Sequence, residues 1–141
     1  MTDELQEQIV LQLREHEDLA GLEIVHEELK DLVNQITLGL KKLGLVIVVT
    51  SPTESCSNIN LPEPVYDNVT VKIQIIENVL INRSANGTQQ PCKRIAKAVV
   101  DALWHFRPAG FGSALYAGTP LIHLVSDQSL LIYRVTMKLG T

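Results

Sequence analysis

Between Glu27 and Leu43 the apolar residues Leu29, Leu32, Val33, Ile36, Leu40 and Leu43 return at steps of three and four. That spacing lines one side of an α-helix and predicts a helix over 27–43. Gly44 follows as a stop signal, with Lys41 and Lys42 suited to the negative end of the helix. An earlier stripe of Leu5, Ile9, Val10 and Leu13 predicts a helix over 3–19, capped by Thr2 or Asp3. "LAGLEIV" breaks that pattern at Gly21 and supplies a short extended piece. The β-branched run "LVIVVT" at 45–50 reads as a buried strand.

The pattern then changes period. Ile73, Ile75, Val79 and Ile81 alternate onto one face of a predicted strand over 68–82, and Glu77 falls on that same face. Unbroken, such a strand would run roughly 45–50 Å. Before it, "SPTESCSNINLPEPVY" (51–66) carries three prolines and reads as a long loop of functional interest. After it, "RSANGTQQP" is turn chemistry around Asn86-Gly87. A third helix is expected from Pro91 to about Phe106, with Ile95, Ala96, Val99, Leu103 and Phe106 inward. Pro108, Gly110, Gly112 and Gly118 mark a further loop, read as a contact surface. A hairpin closes the chain, 120–126 against 129–139. In its last strand Leu131, Tyr133, Val135, Met137 and Leu139 alternate with Arg134, Thr136 and Lys138, one face buried and one wet.

These elements predict one α+β domain over 1–141. Its expected form is a single mixed or mainly antiparallel β-sheet with a long central strand, the helices packed mainly on one face. The chain has 141 residues, of which 45% are hydrophobic, enough for one core. Aromatic residues are 4% and the formal net charge is −4, so neither base stacking nor a basic footprint points to sequence-specific nucleic-acid binding. The start, "MTDELQEQIV", lacks the basic and apolar regions of a signal peptide, and the run Leu43–Val49 is too short to span a bilayer. No membrane role is expected, and the expected compartment is a cytoplasm. Cys56 and Cys92 show no ligand spacing and read as free thiols.

Glu77 is the first candidate for chemistry, because a carboxylate on an apolar face can serve as a base. It reads equally as a bulge residue, or as the partner of Arg94 or Lys97 in a salt bridge. Asp101 and His105, four apart on the third helix, resemble half of a catalytic triad and read equally as a polar helix face. His123 stands alone in an apolar strand, and no second ligand suggests a metal. "RPAGFGSALYAG" lacks the strand, third glycine and Lys-Ser/Thr of a phosphate loop. Trp104 and Tyr116 read as core or interface anchors. No set amounts to a catalytic, metal or cofactor site, and the expectation is a protein that is not an enzyme.

The order helix, helix, strand, long loop, long strand, polar turn, helix, hairpin resembles the tail-terminator (tail-completion, minor tail) proteins of long-tailed phages and prophages. The stretches that carry the likeness are "PEPVYDNVTVKIQIIENVLINR", "SANGT", "KRIAKAVVDALWHF" and "LLIYRVTMKL". The resemblance implies a homo-oligomeric, six-membered ring that caps the tail-tube protein and meets a head-completion protein. It would work in the host cytoplasm during assembly and then in the virion tail. Such a ring needs a head-to-tail interface, for which Glu77, Asn78, Arg83, Phe111 and Tyr116 are the candidate residues. The alternatives are a small intracellular enzyme using Glu77 with His105 or His123, and a module that binds a peptide along a strand edge.

Overall fold

The computed structural model describes residues 2–26, 31–56, 66–84, 90–109, 114–124 and 130–139. Helix α1 (Thr2–Glu15) ends in a 3-10 turn (Glu17–Leu19) and leads into β1 (Glu23–His26). Helix α2 (Leu32–Lys42), β2 (Leu45–Val49), β3 (Thr53–Cys56) and β4 (Tyr66–Asn78) follow. The chain then forms the short helix α3 (Val79–Asn82), α4 (Cys92–Leu103), β5 (Leu115–Leu124) and β6 (Leu130–Leu139). All six strands join one mixed sheet in the order β1-β2-β4-β6-β5, with β3 also on β4. Only β1 and β2 run parallel, which is why a helix, α2, has to cross over between them. The predicted α+β class and the central long strand are both present.

Two layers of helix explain the apolar sequence of β2. On one face, Leu5, Ile9 and Leu13 of α1 and Ile95, Val99 and Leu103 of α4 pack with Leu45, Ile47, Ile73, Ile75, Val135 and Met137. On the other, Leu32, Ile36 and Leu40 of α2 cover Val46, Val48 and Ile76. Every residue of β2 is therefore buried, and no polar position interrupts it. Each such side chain contributes roughly 1.5–3 kcal/mol on burial. Glutamines stitch α1 to distant chain: Gln6 Nε2 donates to the Val49 carbonyl, Gln12 Nε2 to that of Ala102, and Gln8 exchanges two bonds with the Ala109 backbone.

Several boundaries differ from the sequence reading, beginning with α1 and α4, which stop at Glu15 and Leu103, short of the expected 19 and 106. The strand expected over 68–82 is β4, and it stops at Asn78. The chain there coils into α3, so Val79 and Ile81 do not continue the face of Ile73 and Ile75. The proline-rich loop contains a strand, β3, paired antiparallel with the start of β4. The glycine-marked loop gives way to β5 at Leu115, earlier than expected, with register shifts between Ala117 and Thr119 and between Thr119 and Ile122.

Gly44 behaves as the stop signal predicts. Its φ is +77°, and its N–H and that of Leu43 both donate to the Gly39 carbonyl, closing the last turn of α2. Its carbonyl accepts the Asn78 N–H at 2.8 Å, which holds the end of β4. A Cβ at this position would overlap the backbone N and Cα of Asn82. Gly44→Ala therefore combines left-handed strain with a backbone clash and is expected to lower unfolding stability by about 2 kcal/mol or more. Urea denaturation measures it, and a loss under about 0.5 kcal/mol would contradict this packing.

Candidate functional site

Glu77 has no exposed surface. It lies one residue from the end of the central strand β4, opposite Leu45 on β2 and Leu131 on β6, with no register shift against either neighbour. The readings of Glu77 as a bulge or strand-edge residue are therefore corrected: β4 is paired on both sides here, and the side chain has no surface to present to another subunit. A salt bridge is present, but its partner is Arg83 rather than Arg94 or Lys97.

Local sequence builds this arrangement. Asn78 ends the strand and caps α3, its Oδ1 accepting the Ile81 N–H at 3.4 Å. One turn of helix then carries the next two polar residues back over the carboxylate. Asn82 Nδ2 donates to Glu77 Oε2 at 2.5 Å and to the Gln90 carbonyl at 2.7 Å. Arg83 Nε donates to the same Oε2 at 3.2 Å while half of its side chain stays exposed. The other oxygen, Oε1, accepts the backbone N–H of Cys92 at 3.2 Å. Cys92 opens α4, and Pro91 before it supplies no side-chain cap. Glu77 thus fills that role from another element, placing negative charge at the positive end of α4.

This chemistry favours structure over turnover. A carboxylate holding three donors away from solvent has no oxygen turned toward a substrate. The Cys92 thiol donates to the Ile75 carbonyl at 3.2 Å. Burial, then the neighbouring Glu77 charge, pushes its pKa from 9.0 to about 12, against smaller opposing effects of the Tyr133 backbone and Arg83. At neutral pH it is a thiol, and a poor nucleophile.

The structure does not bring the other candidates to Glu77. Helix α4 ends at Leu103, so His105 leaves the helix with φ of 61° and does not share a face with Asp101. The twelve residues of α4 put its far end roughly 18 Å from Cys92, and so from the carboxylate. His123 is on β5, with β6 between it and β4. Trp104 is 51% exposed and stacks on His105, so it is not a core residue. Tyr116 is opposite Lys138 in the β5–β6 register, and Phe111 lies outside the described residues. No group of three or more His, Cys, Asp or Glu suited to a metal occurs among the described residues, and no described helix is long and apolar enough to cross a membrane.

Two features lie on the surface. A hollow of about 330 Å³ opens between α1 and the outer strand β1, lined by Glu7, Val10, Leu11, Arg14, Ile24 and His26. Arg14 Nη2 donates to the Ile24 carbonyl at 3.3 Å, which occupies part of that outer edge. The second feature is the start of β4. Pairing with β6 begins at Thr70, opposite Lys138, whereas β4 begins at Tyr66. Residues 66–69 thus have β3 on one side and no strand among the described residues on the other. Among the described residues the long strand has an unpaired edge here, some eight to eleven positions before Glu77, and sequence reasoning missed it because β3 is hidden in a proline-rich stretch.

Glu77→Leu removes the acceptor of the Cys92 N–H and leaves Asn82 half satisfied, so a loss of roughly 2–4 kcal/mol is expected in urea unfolding. Arg83→Ala should cost under about 1 kcal/mol, since solvent already screens half of that side chain. Equal costs would contradict the cap. In a Cys56→Ser background, Cys92 should resist a disulfide reagent at pH 8 until the protein unfolds; rapid labelling of the native state would contradict its burial. No protein-family model matches the chain, and no curated protein matches its sequence.

Proposed function

We propose that the chain is a structural tail-assembly protein of the tail-terminator kind. In this reading it closes as a six-membered homo-oligomeric ring on a tail-tube protein and offers the opposite surface to a head-completion protein. The carrying observation is the end of the sheet where residues 66–69 of β4 have β3 on one side and, among the described residues, no strand on the other. A two-stranded ribbon is marginal alone, and its open edge invites another chain. The element order described above, with its hairpin β5–β6 and central β4, is compatible with the layout that suggests this family. Glu77 enters this reading only as an internal support for the sheet. Assembly would take place in the host cytoplasm, with the ring ending in the virion tail.

The same free edge supports a second reading, a module that adds a peptide as an extra strand. Sedimentation of the purified chain, alone and with polymerised tail-tube protein, separates the two. A ring of six, or a monomer that becomes a ring on the tube end, is expected. A strict monomer at every concentration that ignores the tube would overturn the assembly reading.

A further inference from the structure

The face of β4 and β6 turned away from α1 and α4 carries an unbalanced charge. Lys72 lies opposite Thr136, and Lys138 and Arg134 occupy the two diagonal positions on β6. Diagonal neighbours on a sheet stand roughly 7 Å apart, close enough for like charges to repel. Lys72 and Lys138 are exposed; Arg134 is partly buried, and its Nε is shielded from solvent without an acceptor. Thr70, Gln74 and Thr136 around them are uncharged, and the Arg83–Glu77 ion pair belongs to the other face. Helix α2 covers Val46, Val48 and Ile76 and so serves the neighbouring part of this face. Among the described residues no carboxylate pairs with these three cations, and like charges gathered in this way favour an acidic partner.

The complementary charge is on the same chain, across the sheet. Glu15 and Asp101 line a hollow of about 290 Å³ between α1 and α4, with Gln12, His16 and Ala102. Exposed Glu17 and Asp18 follow in the 3-10 turn, and no lysine or arginine lines the hollow.

We propose that the Lys72–Arg134–Lys138 face of one copy docks on the Glu15–Asp101 corner of a second copy. This inference rests on the reading of the chain as a self-assembling protein and names the surfaces it uses. The two patches lie on opposite sides of the sheet, so the contact is head-to-tail and leaves each copy one patch for the next neighbour. Such a contact grows in one direction and forms a ring where its rotation closes. Carboxylates from the neighbour pair with the exposed Lys72 and Lys138 ammonium groups. A nucleic-acid phosphate is the weaker occupant: the chain's net charge of −4 repels a polyanion, and three cations neutralise few phosphates.

The test reverses each patch separately. Lys72→Glu with Lys138→Glu makes one variant, and Glu15→Lys with Asp101→Lys makes the other. All four positions are exposed, and circular dichroism with urea midpoints verifies that both variants fold. Light scattering at low salt should show each variant associating with itself at least about ten-fold more weakly than the wild type. Mixing the two should restore assembly, because every contact in the mixture again joins opposite charges, and added salt should weaken wild-type and mixed assemblies alike. If the wild type assembles but neither variant differs and mixing adds nothing, the docking surfaces are wrong while the assembly reading stands. A wild type that is monomeric alone and on the tail tube overturns both. Binding of a short DNA duplex that Lys72→Glu with Lys138→Glu abolishes, without any change in self-association, assigns the face to nucleic acid and overturns this inference.

Discussion

A carboxylate deprived of solvent has to be given hydrogen-bond donors, and in this chain the three donors of Glu77 come from two separate places. Asn82 and Arg83 reach it from the turn after β4, and the Cys92 N–H reaches it from the start of α4. Meeting that one demand decides where β4 ends, which way the chain turns, and where the next helix begins. Asn82 extends the demand to the Gln90 carbonyl, so both ends of the segment between α3 and α4 are held at the same point. Gly44, against the backbone of Asn82, admits no side chain and brings the end of α2 to that point as well. The lower end of the sheet is thus organised by a polar knot set beside an apolar core. Uncompensated, it would be a defect; with its donors in place, it defines a unique arrangement.

The two faces of the sheet are used unequally. One is sealed by α1 and α4 over most of its width, and the other is covered by α2 only toward β1 and β2. Apolar pressure falls along the sheet from β2, buried throughout, to β4, where alternate residues from Val71 to Asn78 are at least partly exposed. The cations of the open face and the free edge of 66–69 both occur where cover runs out. This distribution separates the part of the molecule that holds itself together from the part available to a neighbour.

Much of the architecture was legible from periodicity. The apolar stripes of α1, α2 and α4, the stop at Gly44 and the strand β2 follow from simple local requirements, whereas β6 is half-buried over 130–134 and buries Thr136, so its expected wet face is only partly wet. What was not legible depended on residues that satisfy two patterns at once. Val79 and Ile81 fit an alternating strand as well as a single helical turn, and the cap made by Asn78 decides between them. Thr53–Cys56 carries no apolar alternation, because its strand is fixed by backbone pairing with β4. Glu77 was visible as an anomaly, yet its partner was not: Arg83 reaches it only because α3 folds back, whereas a continued strand would have carried it away. Asp101 and His105 looked paired on a longer helix, and the end of α4 at Leu103 separates them.

The three glutamines of α1 have a temporal consequence. Their acceptors are the carbonyls of Val49, Ala102 and Ala109, so α1 has bonding partners that are synthesised well after it. Gln8 and Gln12 connect positions 101 and 90 residues away. Loops of that length close slowly, and until they close α1 lacks the cover of α4 on its apolar side, with only β1 and β2 at hand. The contact between α1 and α4 is therefore sealed late, and an interrupted synthesis would leave that part of the α1 stripe open to other proteins.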